Sequence, residues 1–513
     1  MNGAQSLVAT LLASGVDTCF ANPGTSEVHF VAALDQSEGM RCVLGLQENV
    51  VTGMADGYWR MAGKPAATLL HCGPGLANGL ANLHNARRAR SGIVNIVGDQ
   101  ATWHRPHDPP LSADTEALAR TVSAWVRTSN RAADVGRDAA AAVQAACTAP
   151  GQIATLVLPS DASWDDGGIT ADCLGLPQPQ PVDASAIDNA ARILRSGGPT
   201  LLLLAGAAVT GEGQALAWRI AKECGAELMA DYMSARVERG RGRLPLERVP
   251  YHIDAAIQRL SRYKNVVLVG AKPPVNFFAY PGKPSAQTSP AAQLHTLSRP
   301  EQDGIAALRA LAEALHAPAA AMPEPGAKPQ RASGAPTPEK VAQTVAALMP
   351  DQAIVSDESV SYGRGFYPHT FAAAPHDWLH LVGGAIGAGL PVATGAALGS
   401  GGERRVISLQ ADGSAMYTLQ ALWTQARERL PCTTVLLNNR KYAILQGEYK
   451  SVGATPGPTA LRMLDLGSPE LDWVRLANAM GVEAGRATTM EQCAQLLAQS
   501  FGKQEPFLID LAV

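Results

Sequence analysis

Two oxygen-bearing side chains, Asp412 and Asn439, each stand just past a short apolar run. The runs 406–409 and 433–437 read as strands with a helix-like stretch between them, so a β-helix-β crossover would carry both side chains to one edge of a parallel sheet. A carboxylate and an amide oxygen are hard donors suited to Mg²⁺, which takes few protein ligands and completes its octahedron with water and phosphate oxygens. In the turn Gln410-Ala411-Asp412-Gly413-Ser414, Gly413 lets the backbone approach closely and Ser414 falls where a helix N-terminus would bond an anion. The layout is that of a metal-diphosphate site, at the edge where open α/β sheets take ligands. Either half alone would read as an ordinary polar turn.

A second set of reactive groups lies far away in the sequence. In Leu46-Gln47-Glu48-Asn49 a carboxylate follows the apolar run 42–46, at a strand end or helix start. Desolvation there would raise its pKa, so that it could share a proton with a ring nitrogen near neutral pH. A solvated helix-start glutamate is the alternative. His71, in His71-Cys72-Gly73-Pro74-Gly75, is a lone histidine at a strand end, which alone reads as a turn residue.

The elements that must position these groups follow from pattern. At 513 residues the chain has room for about three domains. Two Pro-, Gly- and Ala-rich stretches, 165–183 and 317–338, lack hydrophobic periodicity and read as linkers. They leave blocks 1–165, 183–317 and 338–513. Buried-strand runs are expected at 93–97 and 155–158, at 200–204 and 265–269, and at 353–356, 406–409 and 433–437. Their alternation with helical stretches makes each block α/β, with a parallel sheet flanked by helices. Residues 1–15 read as an amphipathic helix with Leu7, Val8, Leu11 and Leu12 inward and Gly15 as its stop.

Composition narrows the partners. Hydrophobic residues make up 46% and charged residues 17%, with a net charge of -3, so the chain is globular and lacks the basic footprint of a nucleic-acid binder. No apolar run is long enough for a membrane span, and the first residues lack a positively charged leader, which gives a cytoplasmic expectation. The eight cysteines are dispersed and form no Cys-x-x-Cys pair, as expected for reduced thiols.

Taken together, Asn22-Pro23-Gly24-Thr25-Ser26-Glu27, Gln47-Glu48 with Ala55-Asp56-Gly57-Tyr58, His71 to Gly75, and the segment from Asp412 to Asn439 resemble thiamine-diphosphate (ThDP) enzymes. The nearest branch in pattern holds acetolactate synthase, benzoylformate decarboxylase and other 2-oxo acid enzymes. The likeness covers both outer blocks and is weak in the middle one. One departure is Ala411, where the family usually has glycine. The resemblance implies a pyrimidine-binding N-terminal domain, a central domain and a C-terminal diphosphate domain. It implies that Glu48 bonds the aminopyrimidine and promotes formation of the reactive carbanion, and that Ile386, in Gly383-Gly384-Ala385-Ile386-Gly387, props the cofactor. Asp412, Asn439 and the Lys441 carbonyl would hold Mg²⁺. Gly384, Gly413, Ser361, Ser414, Tyr417 and Asn78 would line the cofactor, and Thr25 and His71 would meet substrate. Because the two outer domains of different subunits share a cofactor in this family, the site would need a homodimer at least, with a homotetramer expected.

The implied activity is decarboxylation of a small 2-oxo acid, with release of an aldehyde or transfer of the acyl unit to a carbonyl acceptor. Acetolactate synthesis from pyruvate is one alternative. A cofactor-binding protein without turnover is another, disfavoured because Glu48, Asp412 and Asn439 are all present. The middle block carries no Arg-rich flavin pattern, and 203–208 is no dinucleotide fingerprint, so FAD is not expected. Two acid-base groups found in relatives are missing: no histidine occurs in Phe277-Phe278-Ala279-Tyr280, and Leu445 stands where some relatives carry an acid. His104 and His107 could restore polarity or lie on a solvated loop.

Overall fold

The computed structural model describes residues 1–513, and its strands fall into three sheets. The first holds β1 (Thr18–Ala21), β2 (Arg41–Leu44), β3 (Ala66–Leu70), β4 (Ile93–Asp99), β5 (Trp125–Thr128) and β6 (Ile153–Pro159), all parallel, in the order β2-β1-β3-β4-β6-β5. The second is built of β7 (Thr200–Leu204), β8 (Glu227–Ala230), β10 (Asn265–Val269) and β11 (Gln293–Ser298), parallel in the order β11-β10-β7-β8. The third contains β9 (Arg236–Arg239), β12 (Ala353–Glu358), β13 (His376–His380), β14 (Val406–Ala411), β15 (Cys432–Asn438), β16 (Glu483–Ala487) and β17 (Phe507–Ala512). Its order is β16-β17-β15-β14-β12-β13-β9.

The central strands are fully buried apolar runs, as parallel strands covered on both faces must be. Those at 200–204 and 265–269 match the expected bounds. Others run longer, because polar residues such as Asp99 and Glu358 continue the ladder beyond the apolar stretch. The first helix, Gly3–Ala13, buries Leu7, Val8 and Leu11 completely, while Leu12 stays partly exposed; Gly15 follows in the left-handed conformation.

One strand crosses the block pattern. β9 comes from the middle of the chain yet pairs antiparallel with β13, Arg239 opposite His376 and Val237 opposite Trp378. The third sheet is therefore mixed, with an edge strand supplied from the central block. Arg239 is buried there, its guanidinium 3.3 Å from the Tyr367 ring centroid and its Nη1 donating to Thr370 Oγ1 at 2.7 Å.

The outer sheets meet through two helices, Glu48–Ala62 and Gly389–Gly399, packed so closely that side chains would not fit. A Cβ on Gly57 would strike the Val392 carbonyl and one on Gly395 the Met54 carbonyl. At the end of the first helix, Arg60 is buried with Asp56: Nε donates to Oδ1 at 2.8 Å and Nη2 to Oδ2 at 2.6 Å. Its Nη1 reaches the carbonyls of His380, at 2.8 Å, and Ala235, at 3.3 Å. Removing one member of a buried pair strands the other charge, so Arg60→Ala should lower the unfolding free energy by about 3–5 kcal/mol, read by denaturant titration. An unchanged midpoint would show that the pair does not hold the domains.

Candidate active site

The first group of side chains sits where the direction of strand addition reverses. Chain order runs β1, β2, β3 while the sheet runs β2-β1-β3, so the loops after these strands diverge and leave a crevice at their C-terminal ends. Thr25, Ser26 and Glu27 follow β1, Glu48 follows β2, and His71 and Cys72 follow β3. Asn22 ties the three together, its N–H donating to Leu69 O at 3.1 Å and its Nδ2 to Gly45 O at 2.9 Å.

Glu48 is the first residue of its helix, 9% exposed, with Gln47 as the capping residue. Asn78 Nδ2 donates to Glu48 Oε2 at 3.1 Å. Gly75 lies against the same carboxylate, 3.1 Å from a Cβ position to Oε1. Asn78 was expected on the cofactor side; the structure places it directly on Glu48.

Glu27, which the sequence reading quoted only as part of a motif, turns out to organise His71. Its carboxylate is 1% exposed, and His71 Nδ1 lies 2.9 Å from Oε2. Ser26 Oγ donates to Oε1 at 2.5 Å, and Gly24 N–H donates to Oε2 at 2.8 Å. A carboxylate at Nδ1 holds the proton on that nitrogen and leaves Nε2 as the exchanging one. Glycines make the fit possible: a Cβ on Gly24 would collide with the His71 ring, and one on Gly98 with the Glu27 carboxylate. Glu27 was legible in principle as a carboxylate three residues after Gly24, on the loop after β1.

The second group sits at the equivalent reversal in the third sheet, between β12 and β14. Asp412 begins the turn after β14, and Asn439 follows β15, its paired neighbour. Asp412 is 2% exposed, and burial pushes its carboxyl up, against N–H donors from Gly413 at 2.9 Å and Arg440 at 2.7 Å. No basic side chain pairs with it, leaving a desolvated carboxylate whose charge a bound cation would balance. Asn439 Oδ1 accepts from Lys441 N–H at 3.1 Å, which draws that residue back toward the Asp412 turn. Hard oxygens from Asp412 and Asn439, with a backbone carbonyl at Lys441, fit Mg²⁺. Gly413 is required by Tyr442, 2.6 Å from a Cβ position there.

Ser414 differs from expectation in one respect. Its hydroxyl donates to Ala411 O at 3.0 Å and accepts from Gln410 Nε2 at 2.7 Å, so it faces inward and only its backbone remains for an anion. Ser361 is partly buried in the loop after β12, and Tyr417 is 54% exposed. The 383–387 loop with Gly384 and Ile386 is fixed from below by Glu358. Glu358 Oε1 accepts from Gly387 N–H at 2.7 Å and Ala388 N–H at 3.2 Å, and Oε2 from Gly389 N–H at 2.7 Å.

From the side, an asparagine stripe grips the same loop. On the helix Cys72–Ala89, Asn78, Asn82 and Asn85 share one face. Asn82 Nδ2 donates to Gly387 O at 3.1 Å, and Asn85 Nδ2 donates to Ala385 O at 2.7 Å while its Oδ1 accepts from Ala385 N–H at 3.2 Å. The helix that touches Glu48 thus also holds the Ile386 loop of its own chain. Phe277 closes the outside, where a Cβ on Gly384 would collide with its ring. Beyond it, a cavity of about 1050 Å³ under the second sheet's C-terminal edge reaches Phe277 and Val382 but none of the groups above. Tyr280 OH donates to Glu448 Oε2 at 2.8 Å, and Leu445 is exposed. His104 is partly buried and His107 exposed, their rings 6.1 Å apart on a short turn.

Comparison with known proteins assigns this architecture. Residues 1–118 match the N-terminal TPP binding domain of the thiamine pyrophosphate enzymes, and 364–511 match the C-terminal TPP binding domain. The chain belongs to the ThDP-dependent enzymes, in the group of decarboxylases and acetolactate synthases. It is 49% identical to a putative acetolactate synthase large subunit, IlvX, of Mycobacterium tuberculosis, covering 100% of this chain and 99% of that one. A benzoylformate decarboxylase of Pseudomonas aeruginosa is 30% identical, over 97% of this chain and 96% of the relative. In structure the chain resembles a ThDP-dependent 4-hydroxybenzoylformate decarboxylase of Rhodococcus jostii RHA1, with TM-score 0.85, 24% identity and coverage of 100% and 99%. No helix is long and apolar enough to cross a membrane.

The Glu27–His71 contact makes a kinetic prediction. Glu27→Gln keeps the size but removes the anionic acceptor, so kcat should fall by roughly 10²-fold or more, with KM changing little. Steady-state assays at saturating cofactor measure this, and an unchanged kcat would make the contact purely structural.

Proposed function

We propose that the chain, in three units at 1–165, 183–317 and 338–513, uses ThDP and Mg²⁺ to decarboxylate a 2-oxo acid, releasing an aldehyde or passing the acyl unit to a carbonyl acceptor. The observation that carries this reading is the buried Glu27 set against His71 beside Thr25, at the same sheet edge as Glu48. Bound cofactor supplies a carbon nucleophile and an electron sink, and the protein supplies geometry and proton transfer.

Asp412, Asn439 and the Lys441 carbonyl hold the metal, with Ser361, Gly413, Ser414 and Tyr417 around the diphosphate. Gly384 and Ile386 would support the cofactor, on a loop held by Glu358, Asn82 and Asn85. Glu48, oriented by Asn78, would bind the aminopyrimidine and hold or release a proton at its carboxylate. The Thr25 hydroxyl binds the substrate carboxylate, and His71 exchanges a proton with the reacting carbon or oxygen through Nε2. A homodimer at least, and a homotetramer by resemblance, brings Glu48 of one copy to Asp412 of another. A cytoplasmic location fits reduced thiols, and all eight cysteines are free. The name of the 49% identical relative supports a second reading, condensation of two pyruvates to acetolactate.

Carbon dioxide release from a panel of 2-oxo acids, with products identified with and without an aldehyde acceptor, tests the reaction. No release from any acid by cofactor-loaded protein would refute decarboxylation. Glu48→Gln should reduce turnover by roughly 10²- to 10⁴-fold while preserving the fold. Asp412→Ala should abolish the rise in melting temperature that ThDP and Mg²⁺ together give the parent. If copies share sites, mixing the two inactive variants and allowing subunits to exchange should restore about a quarter of parental activity, the value for random pairing in two-fold dimers. No recovery despite demonstrated exchange would place each complete site within one chain.

A further inference from the structure

We propose that Glu27, His71 and Cys72 form a second metal site, distinct in donor chemistry from the Asp412 site and selective for Zn²⁺-like cations. One ligand atom from each residue lies within 4.8 Å of the other two. The set of imidazole nitrogen, thiol sulfur and carboxylate oxygen suits a borderline-soft, tetrahedral ion, whereas Mg²⁺ prefers oxygen alone.

The centre of the cluster is occupied by one oxygen. Ser26 Oγ stands 2.5 Å from Glu27 Oε1, 3.2 Å from His71 Nδ1 and 3.1 Å from Cys72 Sγ. A single hydroxyl that contacts all three donors marks the point from which an ion would reach them. Turning the Ser26 side chain to another staggered rotamer vacates that point, or leaves the hydroxyl as a fourth ligand. His71 is 25% exposed at its side chain, so the cluster has a solvent path.

The backbone supplies an independent observation. Cys72 has φ of 54°, a left-handed conformation that costs a non-glycine residue energy. Glycine would be free there, yet a cysteine is held with its sulfur buried against Ser26, Glu27 and His71. A hydrogen-bonded turn needs no thiol at this position. As the sulfur–metal and nitrogen–metal bonds form, the thiol proton leaves to water and the His71 proton moves through solvent from Nδ1 to Nε2, freeing the Nδ1 lone pair; no electron is transferred. The ion takes the Nδ1 and Glu27 oxygen that otherwise bond each other, so binding there inhibits any proton transfer through His71.

The test uses the full-length protein with excess Mg²⁺, titrated with Co²⁺ as a spectroscopic substitute for Zn²⁺. One equivalent should produce a sulfur-to-cobalt charge-transfer band, and Zn²⁺ should displace it at one equivalent. Cys72→Gly, which suits the backbone, should abolish the band, and Glu27→Gln should weaken Co²⁺ binding at least tenfold. Replacing the two exposed thiols, Cys42→Ala with Cys173→Ala, should leave the band intact. A band that survives Cys72→Gly, or that disappears with the exposed thiols, overturns the proposal, as does the absence of any band in the parent protein. Circular dichroism of Cys72→Gly verifies its fold; if it is misfolded, Zn²⁺ protection of Cys72 from alkylation in the parent decides, and no protection overturns the site.

Discussion

One guanidinium ties the first sheet's helix to the third sheet. Arg60 forks onto Asp56 within its own helix and turns Nη1 to the carbonyls of Ala235, just before β9, and His380, at the end of β13, while Arg236 Nη1 donates back to the Arg60 carbonyl at 3.0 Å. Ser91 Oγ adds a 2.5 Å bond to Asp56 Oδ1, so the buried carboxylate accepts three hydrogen bonds. A planar, always charged group with five fixed donors can meet such divergent acceptors at once; an ammonium could not. The helix that ends near Arg60 begins with Glu48, and its middle is pressed onto Gly389–Gly399, directly after the Ile386 loop. The position of Glu48 and that of the 383–387 loop are therefore set by the same buried contact region.

The two halves of the site share one building rule. Each lies at the C-terminal edge of a parallel sheet, at the place where the order of strands turns back, and each presents a carboxylate at the start of a helix or turn, Glu48 in one and Asp412 in the other. They differ in what surrounds the charge. Glu48 meets one side-chain amide donor and a glycine. Asp412 is deeper, with two backbone donors.

Local pattern made part of this legible. Apolar runs with polar ends located β7 and β10 to the residue, and the spacing from Asp412 to Asn439 placed both on adjacent strands because a crossover helix between parallel neighbours leaves little freedom. Glu48 is legible from its place after the apolar run 42–46, whereas the roles of His71 and Ile386 rest on motif resemblance. What escaped depends on contacts between distant segments. Glu358 looks like one more strand residue until its oxygens meet the amides of 387–389, and Asn82 and Asn85 gain meaning only when their helix lies on a loop some three hundred residues away. Glu27 stood in a quoted motif, but its pairing with His71 needs the β1 and β3 loops folded together.

β9 imposes an order on synthesis. Residues 236–239 leave the ribosome well over a hundred residues before β13, their only partner strand, has been made. Until then this segment has an unpaired backbone edge, and the second sheet cannot use it. The β9–β13 ladder can therefore form only after 376–380 has been made, and it ties the middle of the chain to the third sheet.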